Sequence, residues 1–203
     1  MKKSLVKVAA GALALSIAQL SAGFEAGDWL LRAGVINVDP DSSPASLGAG
    51  LDIDVDDSTQ LGLNAVYFVT DNIGVELLAA TPFKHDVQLN GTDVGETKQL
   101  PPTVMAVWYP NSSDSAYQPY LGGGLNYTIF FEDKMDSGAD LDIDDSFGLS
   151  VELGMDYKIS DNLFVNGQVR YIDISTDASI GGGSKFDIDI DPMVYMISLG
   201  FKL

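Results

Sequence analysis

Three short segments alternate aspartate with aliphatic residues: Leu51-Asp52-Ile53-Asp54-Val55-Asp56-Asp57, Asp140-Leu141-Asp142-Ile143-Asp144-Asp145 and Asp187-Ile188-Asp189-Ile190-Asp191. Carboxylate oxygens are hard ligands suited to Ca²⁺ or Mg²⁺. The spacing is not that of an EF-hand loop, and the glycine-rich calcium repeat is missing. The favoured reading is a solvated acidic rim, with weak divalent-cation binding at the acidic loops as the rival. His85 is the single imidazole of the chain. A catalytic histidine needs an oriented partner, and the spacing offers none. It therefore reads as a surface or loop-packing residue. Phosphate loop, zinc motif and nucleophile elbow are all missing, and without Cys there is neither thiolate chemistry nor a disulfide. The expectation is a chain that is not an enzyme and carries no cofactor.

A second set of ionisable residues gains meaning from the strands that carry them. In Ser146 to Ile159, the odd positions Phe147, Leu149, Val151, Leu153, Met155, Tyr157 and Ile159 are apolar. The even positions Ser146, Gly148, Ser150, Glu152, Gly154, Asp156 and Lys158 are small, polar or charged. Successive strand side chains point to opposite faces, so one face is wholly apolar. The segment is long for a soluble strand and suits a tilted strand crossing a bilayer. An apolar outside around a polar inside is the pattern of a transmembrane β-barrel.

Eight such strands are predicted, at 28–38, 59–69, 73–84, 101–110, 117–130, 146–159, 162–175 and 189–203. Short connections at Thr70-Asp71-Asn72, Pro110 to Ala116 and Ser160-Asp161 alternate with long ones at 39–58, 85–100, 131–145 and 176–188. The predicted fold is all-β: an eight-stranded antiparallel transmembrane β-barrel with short periplasmic turns and long extracellular loops. Trp29, Tyr67, Phe68, Trp108, Tyr109, Tyr117, Tyr157 and Phe201 fall at the short-turn end and read as an interfacial girdle. Lys2, Lys3 and Lys7 precede the apolar run Val8 to Leu20 and the small residues Ser21-Ala22-Gly23. That is the form of a cleaved signal peptide over 1–23, with the barrel spanning 24–203. A formal net charge of −18 argues against nucleic acid or anionic lipid as a main partner.

Strand parity places Arg32, Glu76, Glu152, Asp156, Lys158, Arg170 and Lys202 inside the barrel. Both signs are present, and an eight-stranded barrel is narrow enough for side chains to fill. The favoured reading is a charged plug, paired because buried ions need partners. A selective ion path is the alternative. Leu78, Ala80, Met105 and Val107 also point inward and make part of the lumen apolar. Carried outward, the same parity turns Asp52, Asp54, Asp56, Asp140, Asp142 and Asp144 towards the barrel mouth. The third acidic segment falls on the opposite parity unless Pro192 marks a bulge.

The order of several longer pieces resembles the outer membrane protein W (OmpW) family. The pieces are Arg32-Ala33-Gly34, Gln60-Leu61-Gly62-Leu63, Thr70 to Phe83, Leu100 to Ala106 with Trp108-Tyr109, Pro119 to Phe131, and Asp191-Pro192. The resemblance covers essentially the whole predicted mature chain. It implies an outer-membrane location, outer-membrane lipid as surroundings and a narrow, partly hydrophobic lumen. It also implies uptake of small hydrophobic molecules that leave sideways into the membrane; some relatives serve alkane uptake. The chain departs from the usual aromatic last residue by ending Phe201-Lys202-Leu203. Pro82, Pro101 and Pro102 lack amide donors, and a lateral opening is expected where they weaken the pairing of the third and fourth strands. The rival reading is a non-transporting envelope or surface-binding barrel with acidic loops.

Overall fold

Side-chain alternation decides which surfaces of this chain meet and which face outward. The computed structural model describes residues 23–40, 45–46, 52–89, 91–111 and 115–203. The expected signal segment therefore lies outside the described residues, apart from Gly23. The strands are β1 (Trp29–Asp39), β2 (Ala45–Ser46), β3 (Asp52–Val55), β4 (Ser58–Thr70), β5 (Ile73–Ala80), β6 (Phe83–Leu89), β7 (Thr92–Leu100) and β8 (Thr103–Trp108). They continue as β9 (Tyr117–Met135), β10 (Leu141–Ile143), β11 (Ser146–Lys158), β12 (Leu163–Ile172), β13 (Ser175–Ile180), β14 (Phe186–Asp189) and β15 (Met193–Lys202).

Eight of these strands close an antiparallel barrel in the order β1-β4-β5-β8-β9-β11-β12-β15, with β15 returning to β1. Closure leaves no open strand edge, which is what a sheet in lipid requires. Phe147, Leu149, Val151, Leu153, Met155 and Tyr157 of β11 all point outward, while Ser146, Ser150, Glu152, Asp156 and Lys158 are buried inside. Tyr195, Ile197, Leu199 and Phe201 of β15 extend the apolar belt. The girdle needs one correction. Trp29, Tyr67, Trp108, Tyr117, Tyr157 and Phe201 face outward, but Phe68 and Tyr109 are buried in the lumen. Adjacent residues of a strand cannot share a face, so only one member of Tyr67-Phe68 and of Trp108-Tyr109 can meet lipid.

The long connections are themselves strands, which is a second correction. β6 and β7 form a hairpin that pairs with β3 on one side and with the outer half of β9 on the other. A small sheet, β10-β13-β14, rises beside it. The predicted third strand stops at Ala80 and the fourth starts at Thr103, each interrupted by proline. Likewise 162–175 divides into β12 and β13, and the last strand begins at Met193, after Asp191 at φ 38° and Pro192.

This extension overturns the expected direction of the acidic rim. Leu141 and Ile143 line its interior, Asp142 is exposed, and Asp144 pairs with Lys185 near the surface. Asp140 and Asp56 are exposed as well, and the Asp56 carboxylate accepts from Gln88 Nε2 at 3.0 Å. The side chains of Asp52 and Asp54 lie outside the described residues. The parity carried up from β11 is lost at Asp144-Asp145, where strand geometry lapses between β10 and β11. Burying the aliphatic face of an Asp/Ile alternation is favourable, whereas burying its carboxylates is costly.

Candidate functional site

Three layers fill the inside of the molecule. Between the membrane faces lies a chain of alternating charges. Arg32 on β1 donates from Nε to Asp156 Oδ1 at 3.0 Å and forms a second, parallel bond from Nη2 to Asp156 Oδ2. Its Nη1 donates to Glu76 Oε2 at 3.1 Å and to Asn64 Oδ1 at 3.3 Å. Glu76 on β5 then accepts from Arg170 Nη2, and Arg170 on β12 also donates to Glu152 Oε2 at 2.6 Å. The sequence Asp156–Arg32–Glu76–Arg170–Glu152 thus runs across the lumen, with both side chains of each ion pair fully shielded. Ion pairs removed from water need such dense bonding to offset their desolvation.

Five of the seven predicted plug residues meet in this layer, and two do not. Lys158 pairs with Asp161 at 3.4 Å. Lys202 donates to the Gly23 carbonyl at 2.9 Å and pairs with Asp28 at 3.6 Å. Both sit at the short-turn end. The network also holds neutral members, among them Tyr120, on the inward parity of its strand, and Tyr109, a residue expected in the girdle. Tyr109 OH accepts from Arg32 Nη2 at 2.6 Å and donates to Asp156 at 3.1 Å. The Tyr120 ring lies 4.9 Å from the Arg32 guanidinium carbon, and its hydroxyl donates to Gln168 at 3.0 Å. Gly154 makes room for that ring, because a Cβ there would collide with it.

Below the charges an aromatic layer closes the periplasmic end. Phe24, from the segment before β1, stacks on Phe68 at 4.3 Å and Phe164 at 5.1 Å, with Tyr109 edge-on at 5.2 Å. Val107 belongs to this layer, opposite Gly74 in register, and Met105 lies opposite Glu76 at the level of the charges. Of the expected apolar path, then, Leu78 lies above the plug, with Ala80 packed beside it. Met105 and Val107 do not, because each step along β8 towards its short turn descends past Glu76.

Above the charges the lumen is apolar. Ile36, Val38, Leu78, Phe83, Phe130, Ile172, Ile174 and Val194 pack into one buried cluster. This cluster leads upward to a cavity of about 220 Å³ inside the extension, lined by Val55, Val87, Phe130, Leu141, Ile143 and Ile188 among others. His85 forms part of its wall. The ring donates from Nδ1 to the Asp56 carbonyl at 2.6 Å and accepts from Gln99 Nε2 at 2.8 Å. Burial pushes the His85 pKa down from its ordinary value, against the opposing pull of the Asp56 carbonyl and of Asp57, Asp56 and Asp86. Its two ring nitrogens are committed to a carbonyl and an amide, an arrangement that positions a wall and not a nucleophile. Among the described residues, no group of three carboxylate or imidazole side chains converges to hold a metal ion.

The wall beside this chamber is incompletely laddered. β5 and β8 pair as far as Leu78↔Thr103, and β6 and β7 start again at Phe83↔Gln99. Between these points, Ala79 to Pro82 face Leu100 to Pro102 without a backbone ladder. Pro82, Pro101 and Pro102 all lie in this interruption.

The chain is similar to known proteins in sequence and fold. The OmpW family model matches residues 25–203. Outer membrane protein W of Vibrio cholerae serotype O1 is 41% identical, with 100% of each chain covered. The crystal structure of the outer membrane protein OprG from Pseudomonas aeruginosa superposes with a TM-score of 0.83 at 41% identity, covering 89% of this chain and 98% of that one. The dibenzothiophene metabolism operon protein PahQ of Pseudomonas aeruginosa is 26% identical over 87% of this chain and 89% of its own. A lipid-facing belt around a closed eight-stranded ladder, matched over nearly its full length, places the chain in the outer membrane as a member of the OmpW family.

Proposed function

We propose that the barrel takes up small hydrophobic molecules from outside and releases them sideways into the outer membrane. The observation that carries this reading is the apolar cavity of about 220 Å³ standing above a sealed charged layer. An engineered cavity of about 150 Å³ lined by aliphatic side chains stays dry and takes benzene, so the space here suits a ligand of one or two small rings or a short alkyl chain. An apolar solute in the upper chamber meets paired ions below, and entering them costs desolvation of ion pairs for no compensating bond. The interrupted ladder at Ala79 to Pro82 and Leu100 to Pro102 offers a way out that avoids the charges. Leu78, Ala80 and Phe83 line the approach to it. PahQ, by its name a member of a dibenzothiophene metabolism operon, supports an apolar cargo for this family.

The test is uptake of a radiolabelled apolar tracer such as naphthalene by cells with and without the protein, together with an Ala178→Trp variant that fills the cavity. Uptake should rise with the wild-type protein and fall back towards the background with Ala178→Trp, while the folded barrel remains in the membrane. The closed lower lumen favours the second reading, a barrel that binds at the surface or supports the envelope without transport. Tracer uptake that is the same with and without the protein would select it.

A further inference from the structure

The rim just above the apolar belt is acidic around most of its circumference. Asp39 tops β1, Asp57 precedes β4, Asp145 precedes β11 and Asp173 follows β12, all at or near the surface. One sector differs. On the outer face of β6, β7 and β9, Lys84 and Lys98 stand directly opposite each other in register, and Lys134 lies opposite Glu96. Glu132, at φ 57°, marks the register shift in β9 and brings Glu132 and Lys134 onto the same outer face. Directly below this sector, Ile129 and Tyr127 face lipid. The lysines therefore stand at the height where lipid headgroups begin.

Like charges directly opposite on neighbouring strands repel. Lys84 is pulled towards Glu96 at 2.5 Å and Asp86 at 3.5 Å, and Lys98 towards Glu132 at 2.6 Å. These pairs are solvent-accessible, with the Lys84 and Lys134 side chains about half or more exposed, so each retains donors for a further anion. Long lysine stems lie along apolar surface while their heads reach the polar layer.

We propose that Lys84 and Lys98, assisted by Lys134, dock the headgroup phosphate of an outer-leaflet lipid beside the interrupted wall. Each ammonium group, beyond its bond to Glu96 or Glu132, keeps N–H donors for charge-assisted bonds to a phosphate oxygen. Elsewhere on the rim the same phosphate meets Asp39, Asp57 or Asp173 and is repelled. The lipid is thus held at one sector of the circumference, next to Pro82 and Pro101.

Purified full-length protein in a neutral detergent is titrated with phosphorylated lipid A, with the same lipid after removal of its phosphates, and with inorganic phosphate. The phosphorylated lipid should bind about tenfold more tightly than the dephosphorylated form. The double variant Lys84→Gln, Lys98→Gln should lose that difference, and Lys84→Arg with Lys98→Arg should keep it. Lys185→Gln, whose lysine pairs with Asp144 in the acidic sector, should bind as the wild type does. Equal binding of the two lipids, or an unchanged affinity in the Gln variant, overturns the proposal. Inorganic phosphate binding as tightly as the lipid also overturns it, by showing a site for the free anion. None of these outcomes depends on whether the barrel transports anything.

Discussion

The charged layer in the membrane and the cavity in the extension solve opposite problems with the same strands. In the barrel, narrowness forces side chains to fill the lumen, and Arg32, Glu76, Glu152, Asp156 and Arg170 do so by neutralising one another. In the extension, β6-β7 and β10-β13-β14 turn aliphatic faces towards each other and leave about 220 Å³ between them. The first region is held by partners that cannot be removed singly. The second is held by burial of its aliphatic faces, which leaves an apolar cavity between them. Paired charges and an apolar cavity thereby occupy different heights of one molecule.

The largest expected effect comes from breaking the first region. Arg32→Met removes the partner shared by Asp156 and Glu76, and leaves Asp156 facing only neutral donors. Loss of one member of a buried ion network costs about 3–5 kcal/mol. Reversible urea unfolding in lipid vesicles, followed by the mobility shift of the folded barrel, measures it. Binding of a fluorescent apolar probe to the cavity should survive at urea concentrations where the variant is still folded. Probe binding lost in the folded variant would show that the two regions are not separate.

Inside and outside of the wall make a finer contrast. Leu153 on β11 faces lipid and Ser150 on the same strand faces the lumen. Leu153→Arg near the midplane should cost about 2–4 kcal/mol in the same unfolding measurement. Ser150 donates to the Tyr171 carbonyl at 3.0 Å and lies beside Met105, one rung from Glu152. Ser150→Ala should therefore cost about 1 kcal/mol, the worth of one hydrogen bond. Equal losses at the two positions would undo the assignment of faces.

What was legible in the sequence follows the same division. The barrel strands are readable because lipid outside and polar groups inside impose strict alternation, which β11 obeys from Phe147 to Tyr157. The alternation also put Arg32, Glu76, Glu152, Asp156 and Arg170 inside, and proline chemistry marked the break at Pro82 and Pro101. Parity does not say at what height a residue sits, so Met105 and Val107 were grouped with Leu78 although they lie level with the charges or below them. The extension was hidden for a different reason. An Asp/Ile alternation has the same pattern whichever face is buried, and the lapse at Asp144-Asp145 and the positive φ of Glu132 change parity without a glycine to announce it. Phe24 precedes the first strand, where no periodicity speaks for it.

The smallest expected effect is a pH dependence confined to the extension. His85 is the titratable group in the cavity wall, with a donor bond to the Asp56 carbonyl and an acceptor bond from Gln99. Burial lowers its pKa in the folded state, although Asp56, Asp57 and Asp86 pull the other way. An opened extension would expose His85 with its ordinary pKa of about 6.5. Between the lowered value and about 6.5, the open form binds more protons than the closed one. The contribution of His85 is therefore complete above about pH 6.5 and declines as pH falls through the folded pKa. Protonation also turns Nε2 into a donor facing the Gln99 amide nitrogen, so that hydrogen bond is lost unless the amide rotates. Amide hydrogen exchange in β6 and β7 should accelerate between pH 7.5 and 5 beyond the intrinsic pH trend, with the barrel strands β11 and β12 as the internal reference. His85→Gln should remove the excess. An identical pH trend in the extension and the barrel would show that the imidazole does not couple to the opening of the cavity.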